Sequence, residues 1–228
     1  APPVWGFASH LSDDGGVVRL LVLDCDGVLV DSEGPVNDLL LDDLNGRGLS
    51  LRAEDMRHLF VGGTMEGVFR QARLMGGDLP DDWVARFYDK MFARLSEGVP
   101  LIDGVLGLID AAEAAGAEIW VASNGPYQKM RHTLMPHGLW DRFHGRIMSR
   151  EDFAPKPAPD MILHAMERSG STPTETVFVD DSPTGCSAGI AAGVRTIGYA
   201  ADTPAAILAG TGAEPLASMV EIQALLGL

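Results

Sequence analysis

Short apolar runs recur along this chain, and each ends at glycine or at polar residues. The first, residues 20–23, reads Leu-Leu-Val-Leu, which is too short for a buried helix and typical of a strand covered on both faces. Similar runs predict four more strands, at residues 118–122, 146–148, 177–179 and 194–198. Apolar residues at helical spacing predict intervening helices at residues 105–115, 126–137, 160–169 and 184–192. Strands that alternate with helices indicate a parallel sheet with right-handed crossovers.

The segment between the first two predicted strands has a different texture. Four stretches have helical spacing, around residues 36–44, 53–60, 65–75 and 81–95, and no strand-like run occurs among them. The segment is far longer than the roughly 30 residues that one crossover needs. We therefore predict an α/β, Rossmann-like core of residues 1–34 and 98–228, with helices on both faces of its sheet. Residues 35–97 are predicted to form an inserted all-helical cap domain, whose own small core is expected to contain Phe69, Trp83, Phe87 and Met91.

Composition limits the partners and the location. The formal charge of −15 argues against nucleic acid and anionic membranes, because both are bound through basic patches. No apolar run approaches the roughly 20 residues that span a bilayer. Two cysteines are too few for a disulfide framework, which favours a reducing cytoplasm. We expect a cytoplasmic protein that acts on a small molecule as a monomer or a weak homodimer.

Polar groups follow the predicted strands at the points where these strands end. Asp24 and Asp26 follow the first strand, Ser123 and Asn124 a second, and Asp180 and Asp181 a third, while Lys156 lies on a proline-flanked loop. In open α/β sheets the chemistry sits just beyond the carboxyl ends of the strands. Phosphoryl transfer needs an in-line nucleophile, a cation that bridges phosphate oxygens, and donors around the equatorial oxygens. These residue types supply a nucleophile, hard oxygen ligands for Mg²⁺, and hydrogen-bond donors.

The same residues resemble four motifs of the haloacid dehalogenase-like hydrolase superfamily. The motifs lie at residues 24–32 (Asp-Cys-Asp-Gly-Val-Leu-Val-Asp-Ser), 123–125 (Ser-Asn-Gly), 156–160 (Lys-Pro-Ala-Pro-Asp) and 179–185 (Val-Asp-Asp-Ser-Pro-Thr-Gly). The resemblance covers most of residues 19–200 and is strongest to the subgroup with a helical cap after the first motif, which includes β-phosphoglucomutase and sugar-phosphate phosphatases. Within it, Ser-Asn-Gly-Pro at 123–126, followed by Lys129 and Met130, is similar to 6-phosphogluconate phosphatase-type enzymes.

The resemblance implies a Mg²⁺-dependent phosphatase that uses an aspartyl-phosphate intermediate. Asp24 would be the nucleophile, Asp26 the general acid and then the general base, and Lys156 the group that neutralises charge on Asp24 and the phosphoryl group. The phosphate- and substrate-binding residues implied are Gly27, Ser123, Asn124, Gly125, Lys156 and Thr64 of the cap. The metal ligands implied are the Asp24 carboxylate, the Asp26 main-chain carbonyl and Asp181, with Asp180 acting through water or by orienting Lys156.

Three alternatives share part of this pattern. A haloacid dehalogenase has no use for an acid at Asp26. A β-phosphoglucomutase-like phosphomutase would share all four motifs, but its cap presents a histidine after the first motif and an arginine after the cap glycine. Residues 34–36 and 63–65 read Gly-Pro-Val and Gly-Thr-Met instead, which favours water as the phosphoryl acceptor. A phospho-accepting receiver-like signalling domain carries its acid pair first along the chain, whereas the acid pair comes last here.

Overall fold

Six strands form the sheet in the described part of the chain, which comprises residues 17–60 and 65–228 of a computed structural model. The strands are β1 (Leu20–Leu23), β2 (Glu118–Ser123), β3 (Ile147–Ser149), β4 (Thr176–Asp180), β5 (Arg195–Tyr199) and β6 (Glu214–Leu216). Their order across the sheet is β3-β2-β1-β4-β5-β6, and every neighbouring pair is parallel. The strand order therefore reverses at β1, the position where open α/β sheets form their ligand crevice.

The side chains of β1 alternate between two apolar clusters on opposite faces of the sheet. Leu21 and Leu23 belong to one cluster, and Leu20 and Val22 to the other. All four side chains are fully buried, as expected for a strand covered on both sides.

Eleven α-helices are described. They are α1 (Glu33–Asn45), α2 (Ala53–Phe60), α3 (Met65–Leu74), α4 (Trp83–Ser96), α5 (Val105–Ala114), α6 (Tyr127–Leu134), α7 (Leu139–Arg142), α8 (Asp160–Ser169), α9 (Pro183–Ala191), α10 (Ala205–Ala209) and α11 (Met219–Leu226). Helices α5 and α11 contribute to the cluster on the Leu21 face, and α8 and α9 to the cluster on the Leu20 face. The predicted α/β, Rossmann-like fold with helices on both faces is confirmed.

Helices α1–α4 follow one another with no strand among the described residues between β1 and α5. The domain boundaries at 34/35 and 97/98 stay a prediction, and α1 begins two residues before the first of them. Trp83, Phe87 and Met91 are buried on α4, but they belong to the same apolar cluster as Leu21 rather than to a separate cap core. Helix α4 packs against α6, whose Met130 and Leu134 belong to the same cluster, with the Phe92 ring stacked on His132 at 5.7 Å between centroids.

Most predicted elements differ from the structure by a few residues at their ends, and two regions differ more. The helix predicted over 126–137 ends at Leu134, and a 3₁₀ turn follows over Met135–His137, where Pro136 has no N–H to donate. The predicted elements end at residue 198, whereas the structure continues with α10, β6 and α11. Strand β6 has the sequence Glu-Pro-Leu, which carries no apolar run, and its side chains are exposed or only partly buried. Its proline has no N–H to donate and is tolerated because an edge strand is paired on one side only. Within residues 17–60 and 65–228, no helix is both long and apolar enough to cross a bilayer.

Candidate active site

Strand register brings the predicted site residues to one edge of the sheet. Leu23, at the end of β1, lies in register with β2 on one side and with Val179 of β4 on the other. The N–H of the next residue, Asp24, donates to the Val179 carbonyl at 3.0 Å, so the pairing continues one step beyond β1. Ser123 and Asp180 end β2 and β4 at the same edge.

Lys156 joins two of these strand ends through buried ion pairs. Its Nζ lies 2.7 Å from Oδ1 of Asp24 and 2.6 Å from Oδ2 of Asp180. The Lys156 side chain is only 4% exposed and that of Asp180 is fully buried. One carboxylate oxygen each from Asp24, Asp180 and Asp181 lie within 4.8 Å of one another. We call these three aspartates, together with Lys156, the inner cluster.

Burial, together with the crowding of carboxylates, changes the acidity of the inner cluster. Burial, with smaller contributions from Asp180 and Asp26, raises the pKa of Asp24 to about 7 even though Lys156 opposes the shift. Burial, followed by the charges of Asp24 and Asp180, raises the pKa of Asp181 to about 8. Burial lowers the pKa of Lys156, but the charges of Asp180 and Asp24 outweigh it, so the net pKa is raised and the ammonium stays charged. The inner cluster therefore favours either protonation or a bound cation.

Two glycines allow the main chain to approach the inner cluster. Gly27 has φ +79°, and a Cβ there would lie 2.1 Å from Oδ2 of Asp181. A Cβ on Gly185 would lie within 2.1 Å of the whole Asp180 carboxylate. The Ser182 hydroxyl donates to Oδ1 of Asp180 at 2.7 Å and, as the N-cap of α9, accepts from the N–H of Gly185 in the first turn of that helix. Asp180 thus has partners on both oxygens, which suits it to hold Lys156 in place.

Asp26 faces a different environment. Its Oδ1 accepts a hydrogen bond from the Ser32 hydroxyl, and its Oδ2 lies 2.8 Å from Nζ of Lys129. The side chains of Asp26 and Lys129 are each 21% exposed. Burial lowers the pKa of Lys129, but the charge of Asp26 and the hydrogen bond to it outweigh burial and raise the pKa overall. We call Asp26 and Lys129 the outer pair.

The Ser-Asn-Gly loop after β2 supports the Lys156 loop. The Asn124 side-chain amide donates to the Lys156 carbonyl at 3.0 Å, and its oxygen accepts from the Lys156 N–H at 2.8 Å. The Ser123 hydroxyl oxygen accepts from the Gly125 N–H at 2.9 Å, and Ser149 donates to the Gly125 carbonyl at 2.7 Å. Asn124 therefore has a positioning contact that its predicted role as a phosphate ligand did not include, and that role itself stays a prediction.

The structure does not bring every predicted residue into this group. Thr64 lies outside the described residues. The Asp26 carboxylate points to the outer pair rather than into the inner cluster, so any metal contact from Asp26 would come from its main-chain carbonyl, as predicted. Ser32 and Lys129 contact Asp26 although the sequence assigned neither of them to the chemistry. Ser32 is the last residue of the first motif, and Lys129 follows the second motif in the stretch that is similar to 6-phosphogluconate phosphatase-type enzymes.

The donor set fits a hard divalent cation. The inner cluster and the outer pair together hold four carboxylates and two ammonium groups, which leaves an excess of two negative charges if all are ionised. Carboxylate oxygens that converge from two strand ends are the ligands that Mg²⁺ prefers. A cation there would favour the ionised forms of Asp24 and Asp181, whose pKa values are raised by burial.

Comparison with known proteins gives consistent similarities. The chain is 28% identical over 188 residues to the 6-phosphogluconate phosphatase of Escherichia coli K12, covering 81% of this chain and 84% of that protein. It is 28% identical over 189 residues to hexitol phosphatase A of the same organism, with 80% and 84% covered. A solved hydrolase structure from Deinococcus radiodurans R1, with bound phosphate and sodium, superposes with a TM-score of 0.82 at 29% identity and covers 94% of this chain and 96% of that one.

The family model for haloacid dehalogenase-like hydrolases matches residues 18–193, which include all four motifs, the inner cluster and the outer pair. The match covers more than half of the chain, so the resemblance stated from the motifs is confirmed. It also decides against the receiver-like alternative, in which the acidic pair precedes the phosphorylated aspartate. This chain belongs to the haloacid dehalogenase-like hydrolase family.

Proposed function

We propose that this chain is a Mg²⁺-dependent phosphatase that hydrolyses a small phosphorylated sugar or sugar acid through an aspartyl-phosphate on Asp24. The observation that carries the proposal is the inner cluster, in which a buried lysine holds one oxygen of Asp24 beside two further carboxylates. Phosphatases of a sugar acid and of hexitols among the relatives support this substrate class. The bound phosphate in the Deinococcus structure supports phosphate chemistry in this fold.

Asp24 suits the role of nucleophile because its two oxygens have different environments. Lys156 is paired with Oδ1, which leaves Oδ2 to attack phosphorus in line with the departing oxygen. The bond from phosphorus to the sugar oxygen breaks as the new bond to Oδ2 forms. Mg²⁺, held by Asp24, Asp181 and the Asp26 carbonyl with Asp180 beside them, would supply charge neutralisation for the phosphoryl oxygens.

Asp26 lies two residues beyond Asp24 and is partly exposed, which suits it to exchange protons with bound molecules. It gives a proton to the departing sugar oxygen in the first step. In the second step it takes a proton from the water that attacks the aspartyl-phosphate, and inorganic phosphate leaves while Asp24 is regenerated. Asp180 holds Lys156 in place. The phosphoryl group is proposed to be surrounded by Ser123, Asn124, Gly125 and Gly27. Thr64 of the cap is proposed to contact the substrate.

The test is a turnover screen with metal control. The protein is treated with EDTA and assayed for phosphate release from 6-phosphogluconate, hexitol phosphates, other sugar phosphates and phosphoglycolate, with and without added Mg²⁺. The proposal expects that added Mg²⁺ restores hydrolysis of a sugar phosphate or sugar-acid phosphate. It also expects that the wild-type protein, but not Asp24→Asn, retains a covalently bound phosphoryl group after acid quenching. Absence of turnover on every substrate with Mg²⁺ contradicts the proposal.

The same screen separates hydrolysis from the phosphomutase alternative. A phosphomutase returns an isomeric sugar phosphate from β-glucose 1-phosphate and releases little inorganic phosphate. The proposal expects release of one inorganic phosphate for each substrate consumed and no isomer.

The proposed setting is the cytoplasm, with a small phosphorylated metabolite as partner and neither nucleic acid nor membrane. Cys25 and Cys186 are both buried and unpaired, which supports a reducing compartment. The formal charge of −15 supports the exclusion of polyanionic partners. We also propose a monomer or a weak homodimer, which sedimentation at several concentrations measures.

A further inference from the structure

Lys129 belongs to none of the four motifs, yet its ammonium group pairs with the proposed acid–base residue. It lies in the first turn of α6, directly after the Ser-Asn-Gly loop that ends β2. Its Nζ is 2.8 Å from Oδ2 of Asp26, a residue 103 positions earlier in the chain. The contact therefore depends on the tertiary fold and joins the loop after β1 to the helix after β2.

Both oxygens of the Asp26 carboxylate have a protein partner. Ser32, just before α1, donates to Oδ1, and Lys129 pairs with Oδ2. Two partners on opposite oxygens fix the rotation of the carboxylate as well as its position. A general acid must reach the departing oxygen within hydrogen-bond distance, and small errors in placement are costly in rate.

Partial exposure distinguishes the outer pair from the buried ion pairs of the inner cluster. At 21% exposure, the Asp26 and Lys129 side chains still meet solvent, whereas Lys156 and Asp180 of the inner cluster are sealed. A carboxylate held at the solvent-facing side of the site can deliver a proton to a leaving group and then accept one from water. The contact with Lys129 limits the directions in which the Asp26 carboxylate can transfer a proton.

We propose that Lys129 is a positioning residue that holds the Asp26 carboxylate in the orientation needed to transfer protons to the leaving group and from water. The inference rests on the proposed phosphatase function, since Asp26 has this role only if phosphate ester bonds are broken here. Lys129 acts through Asp26 and makes no contribution of its own to binding of the phosphoryl group.

Leaving-group dependence separates proton delivery from general damage to the site. The values of kcat/KM are measured for Lys129→Met with p-nitrophenyl phosphate, phenyl phosphate and the best sugar phosphate. A nitrophenolate leaves without protonation, whereas a sugar alkoxide needs a proton, and general acid catalysis contributes about 10²–10⁴-fold. We expect Lys129→Met to lower kcat/KM about 30-fold or more with the sugar phosphate and less than about threefold with p-nitrophenyl phosphate. An equal loss with all three substrates overturns the proposal.

A double-mutant cycle tests whether Lys129 acts through Asp26. Phenyl phosphate is used because its intermediate leaving group keeps the Asp26→Ala rate measurable. We expect Lys129→Met to cost little further rate in the Asp26→Ala background, because the partner of the lysine is already absent. If Lys129→Met has the same effect in both backgrounds, the lysine acts on the substrate directly and the proposal is wrong.

Two controls keep a folding defect from imitating the result. Lys129→Arg retains the charge and should recover most of the sugar-phosphate activity that Lys129→Met loses. Lys90→Met removes another lysine–aspartate pair, the one with Asp43 between α4 and α1, and should leave the leaving-group dependence unchanged.

Failure of the proposed function is recognised separately, since wild type itself would then show no activity that depends on Asp24. Wild-type activity that depends on Asp24, with normal leaving-group dependence in Lys129→Met, overturns only the role of Lys129.

Discussion

The inner cluster and the outer pair use the same chemical partners, lysine and aspartate, in opposite settings. Lys156 is 4% exposed and pairs with two aspartates, one of which is fully buried. Lys129 is 21% exposed and pairs with one aspartate, whose other oxygen accepts from a serine hydroxyl. The first arrangement fixes charge within the protein, and the second leaves a carboxylate at the solvent-facing side of the site.

The contrast shows how one sheet edge can support two different tasks. A nucleophile and a metal-binding group benefit from a rigid, water-poor setting, because electrostatic interactions are stronger there. Proton exchange needs contact with the leaving group and with water. Placing Asp24 and Asp26 two residues apart, just beyond one strand, puts each carboxylate in the setting that its proposed task requires.

The largest expected effect is at Asp24, the proposed nucleophile. Asp24→Asn should lower kcat by about 10⁴-fold or more, because the amide cannot form the acyl-phosphate. The measurement is phosphate release from the best sugar phosphate and from p-nitrophenyl phosphate. Circular dichroism should show an unchanged fold, and wild-type turnover by the variant would refute covalent catalysis at Asp24.

Asp26→Ala should have a smaller effect that depends on the substrate. We expect a loss of about 10²–10⁴-fold in kcat/KM with a sugar phosphate, since its alkoxide needs a proton, and a much smaller loss with p-nitrophenyl phosphate. Phosphate, as a product inhibitor, should bind with nearly unchanged affinity. Equal rates for variant and wild type on the sugar phosphate would contradict the acid–base role.

Removing Lys156 should cost stability as well as activity. Lys156→Met leaves Asp24 and Asp180 buried without their cation, and breaking a buried ion pair costs about 3–5 kcal/mol of the free energy of unfolding. Lys129→Met should cost at most about 1 kcal/mol, as for a partly exposed pair. Urea unfolding of both variants in EDTA provides the comparison. Equal losses would show that burial does not distinguish the two lysines.

Stability should depend on pH and Mg²⁺ together. The pKa values of about 7 for Asp24 and about 8 for Asp181 are above the value of about 4 for an unfolded aspartate. Without metal, the folded protein holds protons that the unfolded chain releases, so this contribution to stability is complete below about pH 4 and is lost as pH rises through 7 and 8. Mg²⁺ must displace these protons, so it should raise Tm more at about pH 8.5 than at about pH 6.

Thermal unfolding with Mg²⁺ and with EDTA at the two pH values measures this difference. Asp181→Asn carries no titrating group at that position and should show a smaller Mg²⁺ effect with less dependence on pH. A larger Mg²⁺ effect at the lower pH would be inconsistent with metal binding at the inner cluster.

The smallest expected effect is at Ser32. Ser32→Ala removes one hydrogen bond to Asp26 and leaves the Lys129 contact in place, so we expect a loss of about threefold in kcat/KM on the sugar phosphate. Steady-state kinetics against wild type measures it. A loss as large as that of Lys129→Met would show that the serine, rather than the lysine, sets the orientation of the carboxylate.

Strands β1–β5 and most helices of the core were predictable because local sequence patterns determine them. Leu20–Leu23 is apolar at every residue, and so short a run is typical of a strand covered on both faces. Strand β6 was not predictable, because Glu-Pro-Leu at a sheet edge carries no pattern of its own and is specified by its pairing with β5. Likewise, α4 shares its apolar cluster with the sheet and packs against α6, and no short window of sequence records these contacts.

The chain by itself determined the residue types at the strand ends and therefore the family, since carboxylates, Ser-Asn-Gly and lysine occur in a characteristic order. The tertiary structure decided which partners each of these groups has. The contacts of Lys156 with Asp24 and of Lys129 with Asp26 each span more than 100 residues, so they form only when the parallel strands align their carboxyl ends. The burial of each side chain and the charges around it are properties of that assembled edge. They distinguish Lys156, which is buried, from Lys129, which is partly exposed.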